Sequence, residues 1–154
     1  MITRTFRVAP GSSAAEMKLG CSQLVICTHY LYASYEHQVI IKPGGAYRLT
    51  LEIRLPEFGI ELALTVKEYD ECVKRSIGKT VVMYPVSANL QEGIQFSLMI
   101  FQENLDGLVL VQFHFQDQAA ANVFEEPGWL ADANEVTGDG RYRTEHLAIH
   151  GVPW

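Results

Sequence analysis

Apolar and polar residues alternate along most of this chain, and the alternation predicts strands. From residue 2 to residue 8, Ile2, Arg4, Phe6 and Val8 fall on one side and Thr3, Thr5 and Arg7 on the other. That period of two belongs to a strand with unlike faces. The rhythm returns over residues 47–55, where Tyr47, Leu49, Leu51, Ile53 and Leu55 oppose Arg48, Thr50, Glu52 and Arg54. Residues 24–32 and 37–41 are rich in β-branched and aromatic side chains, which suit a pleated surface. Residues 60–65, 79–86, 93–101 and 108–116 complete the set of strands. Turn chemistry separates them at 10–13 and at Pro43-Gly44-Gly45, and residues 102–107 read as a hairpin loop. Residues 66–77 are charged, with apolar positions at helical spacing, and Gly78 follows as a stop signal. Residues 118–123 are alanine-rich and read as a short helix, Pro127-Gly128 as a turn, and the segment from Trp129 onward as helical pieces between loops.

About eight strands with a few short helices make the expected class α+β, mainly β. A length of 154 residues supports one hydrophobic core and is short for two ordinary domains, so residues 1–154 are read as a single domain. So many strands in one small domain call for a sandwich or a closed barrel. Closure removes edge strands, and a polar inner face turns the interior into a binding site.

Composition narrows the function classes. Hydrophobic residues make up 48% and charged residues 19%, a globular balance and not that of a disordered segment. A net charge of −6 argues against an extended nucleic-acid surface, which needs clustered Lys and Arg, but leaves room for a small anion pocket. The three cysteines, Cys21, Cys27 and Cys72, form no Cys-x-x-Cys pair and read as reduced, packed thiols. The first sixteen residues lack the apolar stretch of a signal peptide, and no apolar run reaches the ~20 residues of a membrane span. The expectation is a cytoplasmic protein with no membrane partner.

The C-terminal third carries a longer signature. Glu135-Val136-Thr137-Gly138-Asp139-Gly140-Arg141-Tyr142, then Leu147-Ala148, with Trp129-Leu130 upstream, resembles the closing motif of CYTH domains, the triphosphate tunnel family. Thr144 stands where that family usually has Asn. Other fragments follow in order. Residues 2–6 stand where the family has its Glu-x-Glu-x-Lys strand, and residues 47–52 resemble its Leu-Thr-Ile-Lys segment. Lys79 opens what is commonly a Lys-x-Arg pair, and residues 96–101 and 107–115 resemble its late hairpin. The resemblance implies an eight-stranded antiparallel closed barrel whose tunnel is lined by charged side chains. In such a tunnel carboxylates hold Mg²⁺ or Mn²⁺ and basic side chains hold a triphosphate.

Laid over this chain, those positions are much altered. Met1, Thr3 and Thr5 stand at the N-terminal acidic and basic positions, Ser97 and Met99 at the Glu-x-Asp pair, and Gln112 and His114 at the Glu-x-Glu pair. Glu61 keeps one middle acid beside Ala63, and Ile40, Glu52 and Val81 replace basic residues. Arg7, Lys42, Arg48, Arg54, Lys79, Gln112, His114 and Arg141 are the expected ligand-binding set; Thr3, Thr5, Thr50, Glu52, Glu61, Ser97, Met99 and Gln116 share the expected lining. No catalytic residue and no metal ligand is assigned, so no cofactor is expected, with Mg²⁺ or Mn²⁺ entering only if catalysis survives. The favoured expectation is a catalytically degenerate, non-enzymatic binder or sequesterer of a small phosphorylated ligand, a nucleotide. One alternative is a regulatory protein that uses the barrel as a scaffold for a protein partner, with Tyr30, Tyr32, Tyr35 and the terminal Val152-Pro153-Trp154 as surface anchors. The other is a metal-dependent triphosphatase or cyclase. His146 and His150, four apart, could hold a metal on a helix, or stand exposed near the end of the chain. His114 could serve as a general base, or simply as a hydrogen-bonding strand residue. Asp139, Arg141 and Tyr142 are read chiefly as holding the C-terminal segment in place.

Overall fold

Residues 2–8 and 49–54, from the two segments with period-two alternation, are strands in the computed structural model, which describes residues 2–8, 26–33, 38–43, 49–90, 93–130 and 132–153. The strands are β1 (Ile2–Val8), β2 (Ile26–Ala33), β3 (Gln38–Pro43), β4 (Leu49–Arg54), β5 (Gly59–Leu64), β6 (Ile77–Asn89), β7 (Gln95–Gln102), β8 (Val109–Phe115) and the two-residue β9 (Asn134–Glu135). Three short helices accompany them: α1 (Val66–Lys74), α2 (Gln118–Val123) and α3 (Thr144–His150). The strand order is β5-β4-β3-β2-β6-β7-β8-β1-β9, and the registers described are antiparallel.

That order has two ends. No ladder among the described residues joins β5 to β9, so an open nine-strand order replaces the closed eight-stranded barrel expected from the sequence. The end strands supply the reason. β5 is exposed from Gly59 to Ala63, on both of its faces, and β9 is too short to carry a full ladder. Neither offers a buried, full-length edge to close against.

The chain divides into two compact units. The first holds β1, the later part of β6, β7, β8, α2 and β9. Its core grows from one face of the sheet. Phe6 and Val8 of β1, Val109, Val111, Phe113 and Phe115 of β8, and Phe96 and Leu98 of β7 are buried together, with Ala121 of α2 and Leu130 packed on them. Phe113 is the hub, with ring centroids of Phe124, Phe96, Phe6 and Trp129 at 4.7, 5.7, 5.8 and 6.2 Å. Truncating a ring buried this completely costs about 3–5 kcal/mol. The Asp117 side chain starts α2 by accepting from the Ala120 N–H at 2.8 Å, which satisfies a donor that the helix itself leaves unpaired.

The second unit holds β2 to β5, α1, the first part of β6, and α3. α1 opens on a capping box. The Thr65 hydroxyl accepts from the Glu68 N–H at 3.1 Å and the Glu68 carboxylate accepts from the Thr65 N–H at 3.0 Å, pairing two orphan donors at once. The helix stops at Lys74, where the Arg75 N–H donates to the Cys72 carbonyl and the Ser76 N–H to the Val73 carbonyl. Gly78, expected as the stop signal, instead lies inside β6 with φ +64°. Its role is close approach: a Cβ there would stand 2.8 Å from the Ala148 carbonyl carbon of α3. Tyr30, Ile40, Thr50, Val81, Tyr142, Leu147 and Ala148 are buried in this unit. Tyr30 is thus a core residue and not the surface anchor expected of it, whereas Tyr32 is 54% exposed.

Candidate functional site

The alternation that sends Phe6 and Val8 into the core of the first unit sends Thr3, Thr5 and Arg7 to the opposite face of β1. Register then assembles a polar face. Thr3 lies opposite His114 and Thr5 opposite Gln112; on the other side of β8, Ser97 lies opposite Gln112 and Gln95 opposite His114. The Gln112 amide donates to the Thr5 hydroxyl at 3.4 Å, and the Ser97 hydroxyl meets His114 Nε2 at 3.3 Å. Thr3, Thr5, Arg7, Ser97, Gln112 and His114 are all half-buried. Beyond them the face turns apolar at Met99 and at the buried Leu110, Arg7's register partner. Of the expected ligand-binding residues, Arg7, Gln112 and His114 therefore share one surface. Gln116, expected beside them, is exposed past the end of β8, where the alternation has stopped.

The other face holds a residue that the sequence reading left unassigned. Arg4 sits among apolar neighbours, and its guanidinium grips the Glu135 carboxylate through Nε at 3.0 Å and Nη2 at 2.7 Å. It also reaches Glu126 at 3.3 Å and the Ala121 carbonyl at 3.2 Å. Glu135 accepts further from the Thr137 hydroxyl at 2.8 Å, and that hydroxyl accepts from the Thr5 N–H at 3.0 Å. The Glu-Val-Thr stretch of the C-terminal motif is thus a clamp on β1. The Arg4 hydrogen bond, before any other cause, holds the Glu135 carboxyl below the usual carboxylate range. A lone charge on an apolar strand face was the available signal, because such a charge requires a partner.

In the second unit the expected residues are more dispersed. Thr50 is buried, and so cannot line an open surface as expected, since β4 is covered there. Arg54 donates to Glu52 at 2.7 Å, and Glu52 lies opposite Glu61, which is exposed. Lys79 and Arg141 are exposed; the Arg141 guanidinium carbon lies 5.9 Å from the Tyr142 ring centroid. Lys42 is placed only as a strand position opposite Thr50, and Arg48, Tyr35, Cys21 and Trp154 lie outside the described residues. The Tyr30 hydroxyl is pushed up to about 12, first by burial and then by Glu145, against weaker effects from Arg54, Thr144 and Arg143. His29, also unassigned by the sequence, meets the Thr80 hydroxyl at 3.0 Å, packs on Tyr69, and has its pKa lowered by burial. Cys72 is half-buried and reduced. His146 and His150 do lie on a helix, with ring centroids 4.3 Å apart.

Whether this donor set suits a divalent metal can be judged from its chemistry. Mg²⁺ and Mn²⁺ favour carboxylate oxygens. β1, β6, β7 and β8 contain no Asp or Glu at all, so the polar face of the first unit offers hydroxyls, an amide, an imidazole and a guanidinium. Among the described residues no three His, Cys, Asp or Glu side chains come together. Glu52 and Glu61 are a register pair, but Glu52 is already bound by Arg54. These residues do not fit a metal held by the protein alone.

No family model matches the chain. Over 108 residues, 69% of this chain and 70% of the relative, it is 31% identical to the inorganic triphosphatase of Nitrosomonas europaea. A crystal structure of an inorganic triphosphatase superposes with TM-score 0.75 at 24% identity, covering 97% of both chains. A second crystal structure of that protein gives 0.74 over 96% of both; at this identity the two structures speak for the fold. The named relative is an enzyme, and this overturns the expectation of a non-enzymatic, degenerate binder. Among the described residues no helix is long and apolar enough to cross a membrane.

Proposed function

The chain belongs to the CYTH, or triphosphate tunnel, family, and from that premise we propose that it hydrolyses a small triphosphate, with inorganic triphosphate as the first candidate. The single observation that carries the reading is the 31% identity to an inorganic triphosphatase across 70% of that enzyme's length. The polar face of the first unit is chemically suited to the task. Phosphoryl transfer needs little covalent help from the protein; it needs positioning and charge compensation. Arg7 can present its planar fork to phosphate oxygens, a geometry that favours two parallel hydrogen bonds. The Gln112 amide and the Thr5 and Ser97 hydroxyls supply neutral donors beside it. His114 carries the one imidazole on that face, and imidazole is the side chain able to take a proton from an attacking water near neutral pH. Lys42, Arg48, Arg54, Lys79 and Arg141 are kept as proposed phosphate-binding residues of the chain, each to be tested by its own substitution.

Phosphate release from inorganic triphosphate, followed with Mg²⁺ or Mn²⁺ present, tests the reading. Arg7→Ala should raise KM by roughly tenfold, the equivalent of one charge-assisted contact of about 1.4 kcal/mol. His114→Gln should lower kcat by about 10²-fold or more with little change in KM. A variant pair indistinguishable from the parent in both constants would remove this face from the site.

A further inference from the structure

The metal-dependent chemistry of a triphosphatase and the acid-free strands of this chain pull in opposite directions. A protein-held Mg²⁺ needs one or two carboxylates at least. The face built by Thr3, Thr5, Arg7, Ser97, Gln112 and His114 has none, and none of the four strands β1, β6, β7 and β8 can supply one. Nor does the opposite side of β1 offer a spare acid, because Glu135 is already held by Arg4 and Thr137.

We infer that this face holds no divalent metal of its own and takes its substrate as a preformed metal–triphosphate chelate, whose phosphate oxygens and metal-bound water the hydroxyl and amide groups of the face would meet by hydrogen bonding alone. Three physical facts carry the inference. Mg²⁺ gives up its waters reluctantly and usually keeps several of them in protein sites. Hydroxyls and amide oxygens accept hydrogen bonds from such waters, and the same hydroxyls, the amide NH₂ and the guanidinium donate to phosphate oxygens. Finally, the six described residues of the face include one guanidinium and no carboxylate, a composition better matched to an anion already partly neutralised by its metal than to a bare triphosphate. The choice of triphosphate rests on the hydrolase reading; the absence of a metal held by this face rests on its donor set alone.

The two can be tested apart. Mn²⁺ is titrated into the full chain, with and without imidotriphosphate, whose bridging nitrogens resist hydrolysis, and the Mn²⁺ retained with the protein is counted after ultrafiltration through a membrane that passes the free chelate. The inference expects no Mn²⁺ bound at submillimolar concentration without the anion and one equivalent bound with it. Mn²⁺ bound tightly without the anion overturns it, and Glu61→Gln would then show whether the Glu52–Glu61 pair is the seat. No Mn²⁺ bound under either condition overturns it too, because the chelate is then not recognised. The doubly substituted Ser97→Glu/Gln112→Glu chain puts carboxylates at two register partners. It should gain Mn²⁺ binding without the anion, by tenfold or more over the parent, and failure to gain it would show that this face is not where metal and donors meet. Hydrolysis of inorganic triphosphate is scored separately, so a chain that binds the chelate without cleaving it would sink the hydrolase reading and leave the inference standing.

Discussion

Arg4→Met removes a guanidinium while keeping much of its apolar stem, and the geometry around Arg4 sets the expected cost. The lost interactions are a two-pronged ion pair to Glu135 at 2.7 and 3.0 Å, a longer contact to Glu126 at 3.3 Å, and a donor to the Ala121 carbonyl at 3.2 Å. An exposed ion pair contributes about 0–1 kcal/mol. This one is bidentate and the Arg4 side chain is 19% exposed, which lifts it to about 1–2 kcal/mol. Stranding the Ala121 carbonyl adds about 1 kcal/mol, for a total near 2–3 kcal/mol. At this chain length that is a fall in melting temperature of about 5–10 °C. Urea unfolding of the parent and of Glu135→Gln across pH supplies the second readout. Glu135 sits below its ordinary value of 4.5 in the folded protein. Its contribution is therefore fully present above that value and lost as pH falls through the lower, folded value. The gap between parent and Glu135→Gln should be constant near neutrality and shrink in acid. An Arg4→Met protein within about 0.5 kcal/mol of the parent, the scatter of an ordinary surface substitution, would refute the clamp, as would a gap that does not change with pH.

Other outcomes follow from single positions. Gly78→Ala combines a left-handed backbone with a Cβ thrust into α3, so it should destabilise by about 2–4 kcal/mol, read by thermal unfolding; a neutral result would mean α3 does not pack there. Tyr30 should resist ionisation until about pH 12 when absorbance near 295 nm is followed. Because its folded pKa lies above the unfolded value of 10.0, stability should decline from pH 10 upward, and Tyr30→Phe should lessen that decline; an unchanged alkaline profile would refute the burial of that hydroxyl.

Most of the fold was legible because its signal is local. Alternation gave β1 to the residue, and the turn residues around 102–107 separated β7 from β8. The helix at 66–74 was visible in the spacing over residues 66–77, which ran three residues past its end. Closure was not legible. It depends on the edges of β5 and β9, which no local pattern reports; the strand count left a sandwich or a closed barrel open, and the resemblance chose the barrel. The polar face was also readable, since Thr3, Thr5 and Arg7 alternate with core residues and their partners on β8 do likewise. What eluded the sequence was pairing across long separations. Arg4 and Glu135 stand 131 positions apart, His29 and Thr80 51 apart, and neither pair shares a periodic pattern. The expectation of a non-enzymatic binder rested on missing carboxylates at familiar positions, and the 31% identity to an inorganic triphosphatase overturns it.

Phosphate release from inorganic triphosphate by the full chain, measured with Mg²⁺ and with Mn²⁺ over a range of pH, bears most directly on the central claim. The account predicts steady turnover that Arg7→Ala and His114→Gln weaken in KM and kcat respectively. A parent protein that binds the anion yet releases no phosphate under any of these conditions would contradict it.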